Sequence, residues 1–481
     1  MANVALVLDL AADAMGDRVA IGDGAGGLTY AEMRELARSA TRELGERSRG
    51  TLVYAGTNGP PMPAALFAAL WAGVSFAPIN YRLPLAQQQQ LTDRLDSGYL
   101  VEAGSAEAWL TGLRDRAESG GAEGGPYVED PARPAVLLFT SGTSAEPKAA
   151  VVDHNNLLAY ILTAGEFMSA DEDEAVLMSV PPFHIAGVAG VLSATYAGRR
   201  IVPLPRFDPD EWVDTVRRES VTHAFVVPTM LARIVAHLDA TGGGELASLR
   251  NLSYGGARMP APVLERALEL LPNAGFVNAY GLTETSSTIA LLGPDDHRAA
   301  MSGDRRRLSS VGRPLPGVEV EVVNDDNQPV PAGTEGNIRV RGAQVSGRYV
   351  GTDGAVDNDG WLVTGDLGVV DDAGYLYVMG RGDDLIIAGG ENVSPAEIED
   401  CLLRHPLVTG AAVVGVPHEE WGEQVAAMVT VKEPVEADVL MVWVREQLGG
   451  LKAPKRIEIR SELPMTPTGK ILRREVRVEL S

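Results

Sequence analysis

The chain contains 481 residues, of which 45% are hydrophobic and 22% charged, and its formal net charge at pH 7 is −24. Its length exceeds one ordinary domain of about 100–200 residues, and its composition is that of a globular protein with a sizeable core. The acidic field repels phosphate backbones, so we expect no nucleic-acid partner. A single cysteine, Cys401, excludes an intrachain disulfide and any metal site built from several cysteines.

The hydropathy pattern bears on the location of the protein. Residues 4–15 are largely apolar but contain Asp9 and Asp13 and follow no basic stretch, so they predict an amphipathic helix rather than a secretion signal. No apolar run reaches the roughly 18 residues needed to span a bilayer. We therefore expect a cytoplasmic protein without a membrane span.

Short β-branched runs alternate with helical patterns through most of the chain. The predicted strands include residues 51–54, 75–79, 135–139, 175–179, 200–202, 223–227 and 275–277. The predicted helices include residues 62–72, 210–219 and 261–271. This alternation predicts α/β layers with largely parallel sheets. After about Gly317, apolar runs separated by Asn, Asp and Gly predict a small antiparallel β unit.

Turn-forming residues mark the joints of the chain. Residues 118–134 are rich in Gly, Pro and acidic side chains, which predicts a surface connector. A second dense group of turn formers predicts a domain boundary near residues 382–384. A helix is predicted to follow it, with Ser394 as N-cap, Pro395 at the first helical position and Glu397 completing a capping box.

A polar loop, Thr140–Lys148, follows directly on the predicted strand at 135–139. Its hydroxyls, backbone N–H groups and lysine are suited to binding phosphate. It is not a Walker A loop, because Pro147 and Ala149 occupy the places of the second glycine and the Ser/Thr. On the loop's own residues, an ordinary polar turn explains the pattern equally well.

Two further segments carry side chains suited to ligand chemistry. Glu284, within YGLTET, offers a carboxylate for a divalent cation, although a solvated loop explains it as well. Asp366, within TGDLG, could accept both hydroxyls of a ribose while Arg381 clamps it from the other side. The alternative for Asp366 is a turn cap.

The last segment is PTGK, which places Lys470 on a Pro/Gly loop. The loop lies in a basic region, residues 451–481, which holds eight Lys/Arg against four Glu. Such a region suits a small anionic ligand, and a solvated helix face explains it nearly as well.

Together, these motifs are far more specific than any one of them. Their order resembles that of the adenylate-forming enzymes, which include acyl- and aryl-CoA synthetases, luciferases and the adenylation domains of peptide synthetases. The resemblance runs from about Ala20 to Arg474, is closest to the carboxylate–CoA ligases, and rests on TSGTSAEPK, PPFH, YGGA, NAYGLTET, TGDLG, GRGDDLIIAGGENVSPAEIE and PTGK.

The resemblance implies a fold and a reaction. The fold is α/β, with a large N-terminal domain (1–382) of layered α/β subdomains plus a β-barrel. A small mobile α+β C-terminal lid domain (383–481) carries the catalytic lysine. In the reaction, a carboxylate attacks the α-phosphate of ATP and pyrophosphate leaves. A thiol, usually that of coenzyme A, then displaces AMP from the acyl-adenylate.

The family pattern also implies which residues form the nucleotide site. The expected ATP-binding residues are Thr140, Ser141, Gly142, Thr143, Ser144, Lys148, Gly256, Ala257, Asn278, Ala279, Tyr280, Gly281, Leu282, Thr283, Asp366, Arg381 and Lys470. Among them Tyr280 would stack on adenine. Glu284 would hold Mg²⁺, with a hydroxyl of Thr143 or Thr283 nearby. Lys470 would reach both the substrate carboxylate and the α-phosphate.

The remaining expectations concern CoA, the hinge and the acid. Coenzyme A would contact Arg82, Gly389, Gly390 and Trp421, although Trp421 could instead pack the lid's core. Asp383 would be the hinge between the domains. The acyl pocket would contain His184, Val188, Val227, Gly255, Gly281 and Thr285. His184 would gate this pocket, with a structural loop histidine as the alternative.

The pocket segments suggest a hydrophobic monocarboxylic acid, either a medium-chain fatty acid or an aryl acid. Arg258 is their only full charge; it could pair with the second carboxylate of a dicarboxylic acid, but we expect it to face solvent. One departure stands out: Ala145 and Ala149 replace glycines of the usual phosphate loop, which predicts a stiffer loop.

Three other readings remain. The chain could load the phosphopantetheine arm of a carrier protein, or be a non-catalytic ATP-binding relative; a luciferase-like oxygenase has no positive sign. A homodimer is also compatible with the resemblance.

Overall fold

The computed structural model describes residues 3–481 with gaps at 25, 48–49, 96–98, 120–126, 129–132, 141–146, 243–245, 353, 389–390, 419–420 and 467–469. The predicted connector at 118–134 therefore lies largely outside the described residues. Within the described part of the chain, no helix is both long and apolar enough to cross a membrane.

The first part of the chain builds five strands of a six-stranded sheet, their helices, and two short strands that join the edge of a nine-stranded sheet. Its elements are α1 (Leu6–Met15), β1 (Val19–Ile21), β2 (Leu28–Thr29), α2 (Tyr30–Arg47), β3 (Thr51–Ala55), α3 (Pro61–Trp71), β4 (Ser75–Pro78), α4 (Leu85–Asp93), β5 (Tyr99–Glu102), α5 (Ala106–Glu118), β6 (Pro134–Thr140) and β7 (Lys148–Asp153). Helix α3 is buried at every position because its sequence, PMPAALFAALW, is apolar on all sides.

The second part builds a nine-stranded sheet. Its elements are α6 (His154–Ala164), β8 (Ala175–Met178), α7 (Ile185–Ala197), β9 (Arg200–Pro203), α8 (Pro209–Arg218), β10 (His223–Val226), α9 (Pro228–Ala240), β11 (Asn251–Gly255), α10 (Ala261–Leu270), β12 (Gly275–Leu282), β13 (Ser287–Leu292), α11 (Pro294–Ser302) and β14 (Arg313–Pro314). Helix α8 is amphipathic and starts at Asp208, whose carboxylate accepts hydrogen bonds from the N–H groups of Asp210 and Glu211.

The third part is a four-stranded antiparallel sheet and the strand that joins the first sheet. Its elements are β15 (Val318–Val323), β16 (Gly336–Gly342), β17 (Arg348–Tyr349), β18 (Leu362–Val370) and β19 (Leu376–Arg381). Strand β18 alternates buried and more exposed positions along its first half, as expected for a sheet with one solvated face. The small antiparallel unit predicted after Gly317 is confirmed.

The last part has its own sheet and core. It comprises β20 (Ile386–Ala388), β21 (Glu391–Val393), α12 (Pro395–Leu403), β22 (Val408–His418), β23 (Gly422–Val431), α13 (Ala437–Leu448), β24 (Arg456–Arg460) and α14 (Arg473–Leu480). A short 3₁₀ turn, Gly382–Asp384, connects it to β19, at the place where the boundary between 1–382 and 383–481 is predicted.

The strand order explains where ligands can bind. The six-stranded sheet runs β17-β7-β6-β4-β3-β5, and the nine-stranded sheet runs β14-β13-β12-β11-β10-β8-β9-β1-β2. In the larger sheet β9, β8, β10, β11 and β12 are parallel neighbours. This agrees with the βα alternation of the sequence, and the mixed α/β fold class is confirmed. Parallel strands deliver the loops after their carboxyl ends to one edge, where ligands of α/β folds bind.

One local prediction is wrong. Helix α12 does begin at Pro395 after Ser394, but the Ser394 side chain makes no capping hydrogen bond. The carboxylate of Glu397, predicted to close the capping box, instead accepts hydrogen bonds from Lys452 Nζ at 2.7 and 2.9 Å. A full positive charge 55 positions away is a stronger partner for that carboxylate than a neutral backbone N–H.

Candidate active site

Four predicted motifs meet at the carboxyl edge of the nine-stranded sheet. The loop PPFH follows β8, Val227 follows β10, Gly256 follows β11, and Glu284 follows β12. Because β8, β10, β11 and β12 run parallel, these segments emerge on the same side of the sheet. A single ligand can therefore contact residues that are about 100 positions apart in the sequence.

Asp366 is the most completely held carboxylate of this edge. It is 7% exposed, and its two oxygens have different partners. Tyr280 Oη donates to Oδ2 at 2.6 Å, and Arg381 Nε lies 3.0 Å from Oδ1. Burial and, as the smaller cause, the negative charge of Asp366 raise the pKa of Tyr280, so its hydroxyl stays protonated and donates. Tyr280, Asp366 and Arg381 are thus brought together as a fixed acceptor beside a cation.

The local sequence TGDLG explains the position of that carboxylate. Thr364 Oγ1 donates to the carbonyl of Ile338 at 2.9 Å and accepts the N–H of Asp366 at 3.1 Å. Gly365 has φ of +78°, and a Cβ there would lie 2.8 Å from Arg381 Nη1. A side chain at Gly365 would therefore both strain the backbone and push the guanidinium away.

Lys470 belongs to the C-terminal part of the chain, and the charges of Asp366 and Arg381 act on its ammonium. Its N–H donates to Thr466 Oγ1 at 3.0 Å, and its carbonyl accepts from the N–H of Thr466 at 2.8 Å, so two hydrogen bonds join Thr466 and Lys470. Although the residue as a whole is exposed, partial burial of the ammonium, followed by the charge of Arg381, lowers the pKa of Lys470. Asp384 and Asp366 also act on this ammonium and oppose the shift.

Glu284 stands on the 3₁₀ turn Thr283–Thr285 that follows β12. Tyr349 Oη donates to its Oε1 at 2.6 Å, and no described residue hydrogen-bonds Oε2. The described residues contain no cluster of three or more acidic, His or Cys side chains that could chelate a metal alone. A single carboxylate with one uncommitted oxygen fits a magnesium ion whose other ligands are phosphate oxygens and water.

The phosphate-loop residues lie at the end of a hairpin. Strands β6 and β7 pair with Thr140 opposite Lys148, which fixes both ends of the loop. Ser141, Gly142, Thr143 and Ser144, and hence the metal role predicted for Thr143, lie outside the described residues. Lys148 is exposed, and its Nζ lies 5.7 Å from the ring centre of Tyr349.

Ala149 shows how one glycine of the usual loop can be replaced. It is 7% exposed, pairs with Phe139 in the hairpin, and packs with Val53 and Ile79 in a small apolar core. It is not among the residues with positive φ. The alanine therefore fits an ordinary strand conformation without strain, and its methyl group adds to the core. Ala145 lies outside the described residues.

The predicted adenine slot lies between the ends of β11 and β12. Asn278 and Ala279 pair with Tyr254 and Gly255, and Asn278 Nδ2 also donates to the carbonyl of Ser310 at 3.2 Å. A Cβ at Gly281 would lie 1.8 Å from the carbonyl oxygen of Ser287, so only glycine fits the close approach of β13. The other slot residues, which are only partly buried or exposed, are Gly256, Ala257, Leu282 and Thr283.

His184 is the N-cap residue of α7, after two prolines that fix the loop. Its ring lies 4.9 Å from that of Phe183, which in turn contacts Tyr81 edge-on at 6.0 Å. Its Nε2 is buried and has no hydrogen-bond partner. Burial, followed by the charge of Arg82, lowers the pKa of His184 to about 4, so the ring is neutral at pH 7.

The other predicted acyl-pocket residues differ in what they can offer. Val227 is 8% exposed and Gly255 is buried at the end of β11. Val188 is fully buried in an apolar core that also contains α3, so its side chain is not exposed to a ligand. Thr285 is also fully buried, and its hydroxyl is committed to the carbonyls of Leu282 and Ser287. Thr285 therefore shapes the turn and presents no free polar group.

We expect His184 to act as a neutral hydrogen-bond donor to the carboxylate of the acid. Replacing it with Phe keeps an aromatic ring but removes the donor, and should lower kcat/KM for the acid by roughly 10-fold. Protonation would occur only near pH 4, so between pH 5.5 and 8 the wild-type and His184→Phe profiles should have the same shape. An inflection near pH 6.5 that is present in the wild type and absent in His184→Phe would contradict this.

The residues predicted for CoA are only partly described. Trp421 is 40% exposed, with Lys455 Nζ 5.9 Å from its ring centre, so it does not pack the core of the last sheet. Arg82 is exposed, and its guanidinium lies 5.5 Å from the ring of Tyr81. Gly389 and Gly390 lie outside the described residues. Asp383 is exposed in the 3₁₀ turn between β19 and β20, and its hinge role stays a prediction.

Arg258 is exposed, as expected, but its guanidinium is also paired. Its guanidinium donates to both carboxylate oxygens of Asp400 and, at 3.1 Å, to the carbonyl of Ala396, all in α12. Sequence reasoning missed this contact because its two ends are 142 positions apart. It also missed Tyr349, whose position in a two-residue strand carries no local signal.

Comparison with known proteins agrees with this geometry. The family model described as AMP-binding enzyme matches residues 8–350, and its C-terminal domain model matches residues 397–470. A feruloyl-CoA synthase from Amycolatopsis sp is 35% identical over 95% of both chains. An indoleacetate–CoA ligase from Aromatoleum aromaticum is 31% identical over 94% of this chain and 92% of its own.

A solved structure resembles the whole chain. The o-succinylbenzoate CoA synthetase from Bacillus subtilis, in complex with its acyl-adenylate intermediate, superposes with a TM-score of 0.85 at 29% identity. The match covers 98% of this chain and 97% of that one. The same enzyme has also been solved with ATP and a magnesium ion, with a TM-score of 0.83 at 28% identity and 98% coverage of both chains.

Proposed function

The chain belongs to the family of AMP-binding enzymes, and from that premise we propose that it ligates a hydrophobic monocarboxylic acid to coenzyme A. It is an AMP-forming acid–CoA ligase that uses ATP, Mg²⁺ and CoA. The observation that carries the proposal is the buried Asp366 carboxylate, which is held by Tyr280 and Arg381 at the ligand-binding edge of the sheet. Lys470, from the C-terminal part of the chain, supports it because the charges of Asp366 and Arg381 act on its ammonium.

The first half-reaction joins the acid to AMP. A carboxylate oxygen attacks the α-phosphorus of ATP, the bond to the bridging oxygen breaks, and pyrophosphate leaves with the bonding electrons. Asp366 would accept the ribose hydroxyls while Arg381 orients it. Lys470 would lie between the carboxylate and the α-phosphate, reducing repulsion between two anions and stabilising the charge that develops. Because its surroundings are partly desolvated, that attraction is stronger than in bulk water.

The phosphates and the leaving group need separate neutralisation. Lys148 and the hydroxyls at the end of the β6–β7 hairpin would bind the β- and γ-phosphates. Glu284 would hold Mg²⁺ through its uncommitted oxygen, and the ion would offset charge that builds on the departing pyrophosphate. In the second half-reaction the CoA thiolate attacks the acyl carbon, and AMP leaves with its phosphate oxygen.

The substrate class follows from what the acyl side lacks. Arg258 was the one full charge in the predicted pocket segments, and its guanidinium is committed to Asp400 and to a backbone carbonyl of α12. The second carboxylate of a dicarboxylic acid would be desolvated there without this partner. The neutral His184, with Phe183 and Tyr81 beside it, favours an aryl acid over an aliphatic one. The relatives named for ferulate and indoleacetate support the same class, whereas those named for 2-succinylbenzoate act on an aryl acid with two carboxylates.

The acceptor is free CoA rather than a carrier protein. Trp421 is exposed and lies under Lys455, so an aromatic face and a cation are both accessible to a nucleotide. A carrier protein presents its pantetheine arm without the nucleotide of CoA, so it does not require a nucleotide-binding contact. A supplied carrier protein that is loaded faster than free CoA would favour the other acceptor.

Pyrophosphate release with ATP, Mg²⁺ and CoA across a panel of acids tests the substrate class. The panel includes aryl, straight-chain, dicarboxylic and amino acids. We expect the largest kcat/KM for aryl monocarboxylates, followed by medium-chain fatty acids. A dicarboxylic or amino acid that turns over as well as the best aryl acid would contradict the proposed pocket.

The contact between Arg258 and Asp400 should affect rate rather than selectivity. It joins the loop after β11 to α12 in the arrangement that brings Lys470 to the site, so we expect Arg258→Gln to slow acyl-adenylate formation by roughly 5-fold, the value of about 1 kcal/mol. The exchange Arg258→Asp with Asp400→Arg should recover part of that loss. The ranking of the acids should not change.

A matched control lies on the neighbouring helix. Arg266 forms a similar ion pair with Asp239 at 2.6 Å, and this pair does not reach the C-terminal part of the chain. Arg266→Gln should leave acyl-adenylate formation within about 2-fold of the wild type. If Arg258→Gln instead admits or excludes dicarboxylic acids, Arg258 serves the acyl pocket after all.

A further inference from the structure

Tyr349 belongs to a strand that extends the β6–β7 hairpin, the hairpin that ends in the predicted phosphate loop. Strand β17 pairs with β7, with Tyr349 opposite Ala150, and the N–H of Val350 donates to the carbonyl of Ala149 at 2.9 Å. Ser346 Oγ donates to the carbonyl of Val151. Residues 346–350 are therefore hydrogen-bonded along the strand that begins with Lys148.

The same segment also grips the turn that carries Glu284. The N–H groups of Ser346 and Gly347 donate to the backbone carbonyl of Glu284 at 2.9 and 3.3 Å. Tyr349 Oη donates to the side-chain Oε1 at 2.6 Å. One short segment thus connects two elements that come from different sheets.

The ring of Tyr349 contacts the lysine of the phosphate loop. Lys148 Nζ lies 5.7 Å from its centre, within the range of a cation–π contact. In the described part of the chain, Lys148 forms no ion pair with Glu284 within 4.0 Å. A direct ion pair between them would make the Glu284 carboxylate less available to a metal and the Lys148 ammonium less available to a phosphate. Tyr349 gives each group a weaker partner instead.

We infer that Tyr349 is a positioning residue that holds the Glu284 carboxylate and the Lys148 ammonium apart and available for a magnesium–triphosphate ligand. Its hydroxyl occupies Oε1 and leaves Oε2 without a hydrogen-bond partner among the described residues, and its ring lies 5.7 Å from the Lys148 ammonium. This inference rests on the proposed function, in which Glu284 holds Mg²⁺ and Lys148 binds phosphates.

The test compares nucleotide affinity with and without the metal. Calorimetry measures the Kd of α,β-methylene ATP, which cannot be cleaved at the α-phosphate, in excess Mg²⁺ and in EDTA. For the wild type, Mg²⁺ should tighten binding. Tyr349→Phe keeps the ring under Lys148 but loses the hydroxyl, so the affinity in EDTA should be unchanged. The tightening by Mg²⁺ should shrink by roughly 10-fold, the value of a hydrogen bond to a charged group.

Two further variants make the result specific. Tyr375 Oη donates to Asp296 at 2.6 Å away from the site, so Tyr375→Phe removes the same kind of bond and should leave both Kd values unchanged. Glu284→Gln should remove the effect of Mg²⁺, and adding Tyr349→Phe to it should cost nothing more, because both act through one carboxylate.

The outcomes separate this inference from the proposed function. If Mg²⁺ does not tighten binding to the wild type, the proposed role of Glu284 fails. If it does, but Tyr349→Phe retains the full effect of Mg²⁺, the positioning role of Tyr349 is wrong. Equal losses in Mg²⁺ and in EDTA would show that Tyr349 serves the fold alone, and would also overturn it.

Discussion

Lys470→Ala should lower the rate of acyl-adenylate formation by about 10²–10³-fold, the usual cost of one preorganised electrostatic group. The ammonium lies in the field of Asp366 and Arg381. The reaction brings two anions together, so the barrier rises when this charge is removed. Single-turnover pyrophosphate release in a quenched-flow instrument measures the step directly.

The second half-reaction distinguishes this role from a general defect. When acyl-adenylate is supplied with CoA, Lys470→Ala should form thioester within a few-fold of the wild-type rate. Lys452 is a matched control, because its ammonium pairs with Glu397 on the surface of the same C-terminal part. Lys452→Ala should retain both half-reactions. Equal losses in the two half-reactions of Lys470→Ala would contradict the assigned role.

Asp366→Asn should produce the second large effect, which is on the kcat/KM for ATP rather than on the KM for the acid. The substitution leaves Arg381 Nε without its anion and weakens the bond that Tyr280 donates. Hydrogen bonds to charged groups contribute about 1.5–3 kcal/mol, so kcat/KM for ATP should fall by roughly 10–100-fold. The KM for the acid, measured at saturating ATP, should change little.

The same hairpin offers a control for Asp366. Asp371 stands at the opposite end of the β18–β19 hairpin, where it accepts the N–H groups of Ala373 and Tyr375 at 2.9 Å. Asp371→Asn should affect the stability of the turn and leave the KM for ATP unchanged. If both variants raise that KM alike, Asp366 acts through the hairpin and not through the nucleotide.

The overall fold was accessible from sequence because local patterns and topology agree. Short apolar runs followed by polar motifs predict strands with ligand residues at their carboxyl ends, and a parallel sheet must bring those ends together. That argument places Gly256, Tyr280 and Glu284 along one edge. The resemblance to adenylate-forming enzymes adds Lys470, which no local pattern connects with the others.

What could not be predicted depends on side chains that meet across long separations. Arg258 hydrogen-bonds to Asp400, 142 positions away in the sequence, and Tyr349 hydrogen-bonds to Glu284, 65 positions away. Glu397 does not form the predicted capping box because its carboxylate binds Lys452 instead. Conversely, Ala149 looked like a defect in the loop, and its burial in the hairpin core explains why alanine is tolerated.

The central claim is that the chain joins an acid to CoA through an adenylate, and the balance of products tests it most directly. The enzyme is mixed with ATP, Mg²⁺ and the best aryl acid, and pyrophosphate, AMP and acyl-CoA are counted with and without CoA. Without CoA, we predict release of about one pyrophosphate per enzyme. With CoA, turnover should continue and yield pyrophosphate, AMP and acyl-CoA in equal amounts. Continued pyrophosphate release that yields no acyl-CoA would contradict the account.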